Sequence, residues 1–491
     1  MSAVPSGRLR RSARLAGLAG HTLTSRAKAR VRRGQLGDDV DQASQRRLAE
    51  RYASALGEMK GAAMKVGQIL SFVDVGGLAS APYMEGFQSA LARLQDDVPP
   101  LSSAGIASVV ESELGRRPDE IFASFSATPI AAASIGQVHR ARLGNGAEVA
   151  VKVQYPGVAE AIRADLANTD VLVGLIRGGV ALLGSHAPRL DPRAVVDEVR
   201  ERVGEELDYR REAANQEEFA SLYEGHPFIR IPAVHPRLSS ARVLTMDYVQ
   251  GKRWSEALHA SQSLRSQWGE VIFRFVFASL NRHGLFNADP HPGNYLFHDD
   301  GTVTFLDFGT VKRFSPDLLC AMSGAVDAAL SSDAVAVVRS FIDLGMLTED
   351  DARQLDPSRV LEFYRYALRD RWDDQPFTDT PEFAAEVVSR TYEPLGTWYD
   401  VTGRLRMPKD LVLLNRINLG VISVLGHLHA TADWRAIDDE IRHDSPPATA
   451  LGHLEARWRA QHERDRNSVD ARQARGPLLG VPGALPSGLA S

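Results

Sequence analysis

The sequence predicts an α+β fold with two lobes, in which a small β-rich lobe precedes a larger helical lobe. Two β-type runs at residues 137–143 and 148–154 flank an Asn-Gly turn, which predicts a hairpin in the small lobe. A long polar helix is expected over residues 192–222. After Trp254 the apolar spacing is mainly helical, and this predicts the larger lobe.

Shorter elements complete this outline. A helix is expected over residues 103–114, and two further strands over residues 229–234 and 242–248. A hairpin at residues 295–306, which turns at Asp-Asp-Gly, interrupts the helical lobe. The chain therefore divides into five regions: a disordered basic arm at 1–44, a helical extension at 45–125, the small lobe at 126–250, the helical lobe at 251–450 and a disordered tail at 451–491.

The composition is that of an ordinary globular protein with a basic N-terminal arm. The 491 residues are 44% hydrophobic and 24% charged, and the single cysteine, Cys320, excludes an intramolecular disulfide. Residues 1–36 carry nine Lys or Arg and no acid, which leaves a formal charge of −14 on the remaining residues. The arm is expected either to contact an anionic membrane face or to be a solvated tail. Its lack of interleaved aromatic residues does not favour nucleic acid.

No apolar run is long enough to span a membrane, which takes about 18 uncharged residues. The first 30 residues also lack the uninterrupted apolar core of a signal peptide. The expected location is the cytoplasm, with at most peripheral contact at the inner face of a membrane.

Two short motifs in the second half of the chain indicate phosphoryl transfer. Asp289 is followed five residues later by Asn294, and Asp307-Phe308-Gly309 begins eighteen residues after Asp289. In protein kinases an aspartate at the first position orients the nucleophile, whereas the asparagine and the second aspartate hold Mg²⁺. Each motif alone is a weak signal. Together, in this order and spacing, they predict the same chemistry here.

A lysine upstream supplies the cation that such a site needs. Lys152 is central to the alternating apolar run at residues 149–153, which predicts a strand that directs the amine toward the phosphates of ATP. A strand lysine at the lobe surface is the plainer interpretation, and the downstream motifs favour the nucleotide. The polar helix offers Glu206, Asp208 and Glu212, of which at least one is expected to hold the lysine.

The segment before the first long strand occupies the position of the glycine-rich loop that covers ATP in ordinary kinases. It reads Ala131-Ala132-Ala133-Ser134-Ile135-Gly136-Gln137-Val138-His139, with three alanines in place of glycines. Alanine resists positive φ and keeps a methyl group between backbone and phosphate, so ATP is expected to be held differently. Further upstream, Lys65-Val66-Gly67-Gln68 carries almost no information by itself.

These elements together resemble the AarF/UbiB family of atypical protein-kinase-like proteins, which includes coenzyme Q-associated kinases. The resemblance covers roughly residues 45–430 and is specific, because ordinary kinases lack the Lys65–Gln68 motif and the alanine segment. It implies a bilobal protein-kinase-like fold with an N-terminal helical extension. It also implies ATP and Mg²⁺ as cofactors.

The resemblance further implies roles for individual residues. These are Asp289 as the catalytic aspartate; Lys152 as the phosphate-pairing lysine, with Glu212 as its partner; Ala131, Ala132, Ala133 and Ser134 as the segment over the nucleotide; Asp247 and Val249 as the hinge for adenine; Asn294 and Asp307 as Mg²⁺ ligands; and Lys65, Gln68, Glu206 and Asp208 as an inhibitory set over the substrate groove. One position departs from the family, which usually has His where Asn287 stands. Since Asn can also hydrogen-bond to the backbone, the loop is expected to persist.

The leading functional hypothesis is an ATP-binding, Mg²⁺-dependent atypical kinase or ATPase that supports isoprenoid-quinone or lipid metabolism. A small-molecule phosphotransferase of the aminoglycoside or choline kinase type is the first alternative, although the Lys65–Gln68 motif has no role there. The second alternative is a nucleotide-dependent scaffold that binds quinone-pathway enzymes or membrane. A helix over the substrate groove favours ATP hydrolysis or a small acceptor over protein phosphorylation.

Overall fold

The structure is a computed structural model that describes residues 102–133, 135–166, 207–287, 291–392, 396–406 and 408–474, together with Val173 and Gly204. Within these residues the strands are β1 (Ser124–Phe125), β2 (Ala131–Ala133), β3 (Gly136–Arg142), β4 (Glu148–Gln154), β5 (Ile229–Arg230), β6 (Val243–Asp247), β7 (Leu285–Asn287), β8 (Tyr295–Phe297), β9 (Val303–Phe305), β10 (Val311–Arg313), β11 (Phe377–Thr378) and β12 (Thr431–Ala432). The helices are α1 (Ser103–Leu114), α2 (Pro118–Ile121), α3 (Val158–Leu166), α4 (Tyr209–Leu222), α5 (Trp254–Ala257), α6 (Gln262–His283), α7 (Pro316–Leu330), α8 (Ala334–Asp343), α9 (Glu349–Arg353), α10 (Pro357–Ala367), α11 (Arg369–Trp372), α12 (Pro381–Tyr392), α13 (Tyr399–Thr402), α14 (Lys409–Leu428), α15 (Trp434–His443) and α16 (Ala450–Ala474).

The small lobe is an antiparallel sheet in the order β1-β3-β4-β6, with β2 paired to the free end of β3. The predicted hairpin is confirmed, since β3 and β4 pair from Gly136 opposite Gln154 to Arg142 opposite Glu148. Gly146 in its turn has φ of +90°, a conformation that glycine adopts without steric cost. This hairpin fixes the register of the strand that carries Lys152.

The two faces of β4 have different environments. Val149, Val151 and Val153 are fully buried, and they pack with Ile106, Val109 and Val110 of α1, a helix whose predicted bounds are confirmed. Burying a valine side chain contributes roughly 1.5–3 kcal/mol, so this face anchors the strand. Because side chains alternate along a strand, Lys152 lies on the opposite face, toward α4.

The helical lobe is organised around α6, whose middle is buried on all sides. Trp268, Phe273 and Phe275 belong to the largest apolar cluster of the described residues, together with Leu425 of α14 and Trp434 of α15. The predicted hairpin in this lobe is confirmed as β8 and β9. Among the helices of the described ranges, none is both long and apolar enough to cross a bilayer.

One predicted strand belongs to a different sheet. The run at residues 229–234 was expected within the small lobe, but only Ile229–Arg230 is a strand, and it pairs in parallel with β9. The physical reason lies beside it: Phe228 is buried in the core of the helical lobe, and its carbonyl accepts a hydrogen bond from the Val303 N–H at 3.0 Å. The chain therefore enters the sheet of the helical lobe at β5 and returns to the small-lobe sheet at β6.

The predicted disordered tail begins with a helix instead. Helix α16 covers Ala450–Ala474, and Glu455 is 2% exposed because its carboxylate contacts both Arg274 and Arg282 of α6. The polar composition of the tail does not predict this contact, because the sequence around a glutamate does not distinguish a buried ion pair from a solvated side chain. Residues 475–491 lie outside the described ranges.

Asp379 follows β11, and it gives the helical lobe a pH dependence. Its side chain is fully buried. Burial, with a contribution from the Asp370 carboxylate, raises the pKa of Asp379 to about 8 despite the nearby guanidinium of Arg371. Asp438 and Arg442 complete the charged groups of this cluster. An acid whose pKa is raised by folding binds more protons in the folded state, so the free energy of unfolding falls as the pH rises between about 4 and 8.

We expect Asp379→Asn to remove this pH dependence. The amide is neutral at every pH, so the variant should not show the loss of a few kcal/mol that ionising a buried carboxyl causes. Urea denaturation at pH 5 and pH 8 measures the difference for the wild type and the variant. Asp299→Asn changes an exposed aspartate and should leave the wild-type difference in place. Equal differences in wild type and Asp379→Asn would contradict the assignment.

Candidate functional site

Lys152 lies at the centre of the candidate site and contacts two carboxylates. Its Nζ donates to both carboxylate oxygens of Glu212, at 2.7 and 3.0 Å, and lies 3.3 Å from Asp307 Oδ2. The lysine side chain is 12% exposed and that of Glu212 is 5% exposed. Burial by itself lowers the pKa of the Lys152 ammonium, but the carboxylates of Asp307 and Glu212 outweigh it and raise that pKa well above its usual range. The lysine is therefore a fixed cation.

The start of α4 determines where Glu212 lies. Asp208 is the N-cap, and its carboxylate accepts hydrogen bonds from the Arg210 N–H and Nε, each at 3.1 Å. The Tyr209 N–H donates to the Ala241 carbonyl at 3.0 Å, which ties the first turn to the chain before β6. Glu212 belongs to that anchored first turn and points inward, so it meets Lys152.

The Asp307-Phe308-Gly309 segment contributes the second carboxylate. Asp307 Oδ1 accepts a hydrogen bond from the Gly309 N–H at 2.9 Å, which leaves Oδ2 toward Lys152. Phe308 is fully buried, and its ring centroid lies 5.1 Å from that of Phe219 on α4. The packing of Phe308 against Phe219 and the hydrogen bond from the Gly309 N–H thus orient the Asp307 carboxylate.

Asn294 approaches the same segment from the preceding turn. It ends the 3₁₀ turn Pro292–Asn294, and its carbonyl accepts a hydrogen bond from the Leu306 N–H at 3.0 Å, one residue before Asp307. The side-chain oxygens of Asn294 and Asp307 are ligands of the kind that suits Mg²⁺ completed by phosphate and water. The described residues contain no cluster of three or more His, Cys, Asp or Glu side chains that would hold a metal by themselves.

Several predicted site residues lie outside the described ranges. They are Asp289, Ser134, Glu206, Lys65 and Gln68. Asp208 is described, and its carboxylate is paired with Arg210 at the start of α4.

The alanine segment forms a short strand. Ala131, Ala132 and Ala133 of β2 pair antiparallel with Val138, Gln137 and Gly136 of β3. Ile135 in the turn is buried, and its carbonyl accepts a hydrogen bond from the Tyr155 N–H at 2.9 Å. The segment is therefore attached to the sheet at both ends, at the edge of β3.

Gly136 allows this hairpin to approach β4. A Cβ at position 136 would lie 2.3 Å from the Val153 carbonyl oxygen and 3.0 Å from Tyr209 Oη. We expect Gly136→Ala to displace the alanine segment and to lower the free energy of unfolding by roughly 1–3 kcal/mol. Gly144→Ala is the matched control, because a Cβ at position 144 meets nothing within 4 Å. Urea denaturation measures both changes, and equal losses would contradict the steric argument.

The residues predicted to form the adenine hinge lie at the end of β6 and just after it. The Asp247 N–H donates to the Ala233 carbonyl at 2.9 Å, and the Tyr248 N–H donates to the Glu148 carbonyl at 3.0 Å. The Asp247 carboxylate lies 2.8 Å from His235 Nε2 on the exposed side. These contacts fix the backbone that leads to Val249.

The sequence did not predict several side-chain contacts that support the site. Gln137 Nε2 contacts His139 Nε2 at 2.8 Å, and His139 Nδ1 contacts the Ser126 carbonyl at 2.7 Å, which together favour the neutral Nδ1–H tautomer. Burial lowers the pKa of His139 and keeps the ring neutral. Asn215 was also missed: its amide donates to the Phe308 carbonyl at 2.9 Å. Its position three residues after Glu212, hence on the same helix face, was the signal available.

Comparison with known proteins agrees with this geometry. Residues 93–341 match the model of the ABC1 atypical kinase-like domain. The chain is 36% identical over 261 residues to Protein ACTIVITY OF BC1 COMPLEX KINASE 8, chloroplastic, of Arabidopsis thaliana, a match that covers 52% of this chain and 34% of the plant protein. It is 34% identical over 313 residues to the mitochondrial atypical kinase COQ8B of Rattus norvegicus, covering 64% of this chain and 57% of the rat protein. The chain thus spans about a third to just over half of these relatives' length.

A solved structure extends the match. The Rv3197–erythromycin complex from Mycobacterium tuberculosis superposes with a TM-score of 0.58 at 31% sequence identity, covering 83% of this chain and all of that one. The kinase-like arrangement of sheet, helix and helical lobe is therefore shared with a solved structure. On the match of its central half, this chain belongs to the ABC1 atypical kinase-like family, the AarF/UbiB family that its motifs resemble.

Proposed function

We propose that the protein is an ATP-binding, Mg²⁺-dependent atypical kinase or ATPase. The observation that carries the proposal is the buried Lys152 ammonium between Glu212 and Asp307. A fixed cation beside a half-exposed carboxylate is suited to a phosphate group with its metal ion, and membership in a kinase-like family supports this use.

Each residue has a role in this proposal. Lys152 binds the phosphates and Glu212 holds the lysine, while Asn294 and Asp307 hold Mg²⁺. The metal ion, when bound, supplies charge neutralisation at the transferred phosphoryl group. Asp289 orients the attacking oxygen. The nucleotide lies below Ala131–Ser134, and the main chain of Asp247 and Val249 takes the adenine edge.

The proposal includes regulation from the helical extension. Lys65 and Gln68 are proposed to lie over the substrate groove, with Glu206 and Asp208 as partners for the lysine. This arrangement would restrict large protein substrates and favour hydrolysis or a small acceptor. Removal of the lysine in Lys65→Ala tests it, because the variant should then accept substrates that the wild type rejects.

The direct test is nucleotide binding and turnover by the purified full-length protein. A thermal shift with ATP is expected in the presence of Mg²⁺ and should shrink with EDTA, and slow release of phosphate should depend on the same metal. Ala133→Gly should alter the preference between ATP and ADP, since the glycine removes the methyl group that the segment presents. Absence of both the shift and the turnover at every Mg²⁺ concentration would overturn the proposal.

A small-molecule phosphotransferase is the second candidate. The solved relative is a complex with erythromycin, so an organic ligand of that size belongs in the panel of acceptors. A panel of erythromycin, aminoglycosides and amino alcohols with labelled ATP separates the candidates. Transfer of label to one of them, in place of release as free phosphate, would favour this second function.

The quinone or lipid assignment and the membrane contact are proposals that rest on the family resemblance and the basic arm. Co-sedimentation with anionic vesicles compares the full chain with a variant that lacks residues 1–36. Loss of binding in the shorter protein would support peripheral contact through the arm. Equal binding would remove the arm from the proposal, and no binding by either protein would favour a solvated tail.

A further inference from the structure

Two side-chain amides hold the main chain of the Asp307-Phe308-Gly309 segment. Asn287 Nδ2 donates to the Asp307 carbonyl at 2.8 Å, and Asn215 Nδ2 donates to the Phe308 carbonyl at 2.9 Å. The two residues come from different elements, the end of β7 and the middle of α4. Successive carbonyls of one segment are therefore fixed from two directions.

Three residues on one face of helix α4 contact the segment, the first of them through Lys152. Glu212 reaches Asp307 through Lys152, Asn215 binds the Phe308 carbonyl one turn later, and Phe219 packs on the Phe308 ring one turn further. The amide of Asn215 has a defined orientation, because its oxygen accepts from Arg313 Nη2 at 3.4 Å while its nitrogen faces Phe308. The helix thus couples the ion pair to the backbone of the segment.

Asn287 holds the segment from β7. It is buried, and it stands opposite Val311 in the antiparallel pair formed by β7, which precedes the segment in the chain, and β10, which follows it. Rotation of the peptide that follows Asp307 would break this hydrogen bond, while the N–H of the next peptide, that of Gly309, holds Asp307 Oδ1. Since the carboxylate is attached to that backbone by two single bonds, fixing the peptide restricts where the carboxylate points.

We propose that Asn215 and Asn287 form an amide clamp, a pair of positioning residues that set the direction of the Asp307 carboxylate for Mg²⁺. The proposal rests on the proposed function, because it specifies the metal ligand of that site. In this proposal both amides act through the main chain, at the Phe308 and Asp307 carbonyls. The clamp explains why a neutral asparagine suffices at a position where the family usually has histidine: the requirement is an N–H donor to the Asp307 carbonyl.

The test is the Mg²⁺ concentration that half-saturates ATP binding by the full-length protein. Asn215→Asp and Asn287→Asp keep the side-chain shape but place an acceptor against a carbonyl. Each is expected to raise the half-saturating Mg²⁺ concentration about tenfold, because the hydrogen bond is lost and two acceptors then repel each other. ATP binding in EDTA should change less than about twofold, because Lys152 and the alanine segment are intact. A variant that merely loosens the fold would weaken binding in both conditions.

Matched variants make the outcome decisive. Ala214→Asp adds the same charge to the exposed face of α4 and should leave the Mg²⁺ dependence unchanged. Asn287→His retains an N–H donor, so its half-saturating Mg²⁺ concentration is expected to stay within about threefold of the wild-type value. This variant still tests the clamp if the aspartate variants fail to fold. A wild-type half-saturating Mg²⁺ concentration in both aspartate variants would overturn the clamp but not the proposed function. A tenfold increase of that concentration in Asn287→His would do the same. A wild-type protein that binds no ATP with Mg²⁺ would overturn the proposed function and the clamp with it.

Discussion

Asp307→Asn should lower Mg²⁺-dependent ATP hydrolysis by at least about 100-fold, since one charged metal ligand and its electrostatic contribution are lost. The amide keeps the size of the side chain but removes the negative charge that faces both Lys152 and the proposed metal ion. Turnover needs that charge to bind Mg²⁺ beside the phosphates, whereas folding needs it less, because Asp307 is partly exposed. The expected result is therefore a folded protein with almost no activity. Phosphate release at saturating Mg²⁺ measures the change.

The control for this variant is Asp299→Asn. Asp299 is a highly exposed aspartate in the β8–β9 turn that pairs with the surface residue Lys252. It should retain wild-type turnover, and both variants should keep the wild-type circular dichroism spectrum. Unchanged hydrolysis in Asp307→Asn would contradict the assignment of this carboxylate to the metal.

Arg274→Met should lower the free energy of unfolding by about 3–5 kcal/mol, the cost of leaving buried charges without their partner. The guanidinium is fully buried and binds three carboxylates, those of Glu270, Glu440 and Glu455, at 2.8 to 3.0 Å. Methionine fills part of the volume but leaves these acids close together without a central cation. The network joins α6, α15 and α16, so its loss should also release the C-terminal helix.

Arg353→Met provides the contrast. Arg353 pairs with Glu349 and Asp350 on α9, and all three side chains are largely exposed. Exposed pairs contribute about 0–1 kcal/mol, so this variant should stay near wild type. Urea denaturation compares the two, and hydrogen exchange reports the protection of residues 450–463. Small and equal losses in both variants would show that the buried network does not stabilise the lobe.

Local sequence patterns were sufficient to predict the elements nearest the candidate site. The Asn-Gly turn and alternating valines predicted the hairpin around Lys152, and the acidic helix predicted a partner for that lysine, which the structure places at Glu212. These features are determined by neighbouring residues: a turn dipeptide, a period of two, and a charge in the first turn of a helix.

Contacts between distant residues could not be predicted in the same way. Glu455 lies 181 residues from Arg274, and nothing around it distinguishes a buried acid from a solvated one. The strand at Ile229 has β-type residues, but its sheet is determined by Phe228 entering the other core. Asn287 was visible as a departure from the family, yet its hydrogen bond to Asp307 depends on the packing of β7 against β10.

The most direct test of the Mg²⁺–ATP site is a crystal structure of the full-length protein with a non-hydrolysable ATP analogue and Mn²⁺ in place of Mg²⁺. Anomalous scattering locates the metal ion independently of the protein coordinates. We expect a metal peak at about 2.0–2.3 Å from an Asp307 carboxylate oxygen, with Asn294 as a second ligand and Lys152 Nζ within hydrogen-bonding distance of a phosphate. An analogue bound elsewhere, or a metal ion that does not contact Asp307, would contradict this expectation.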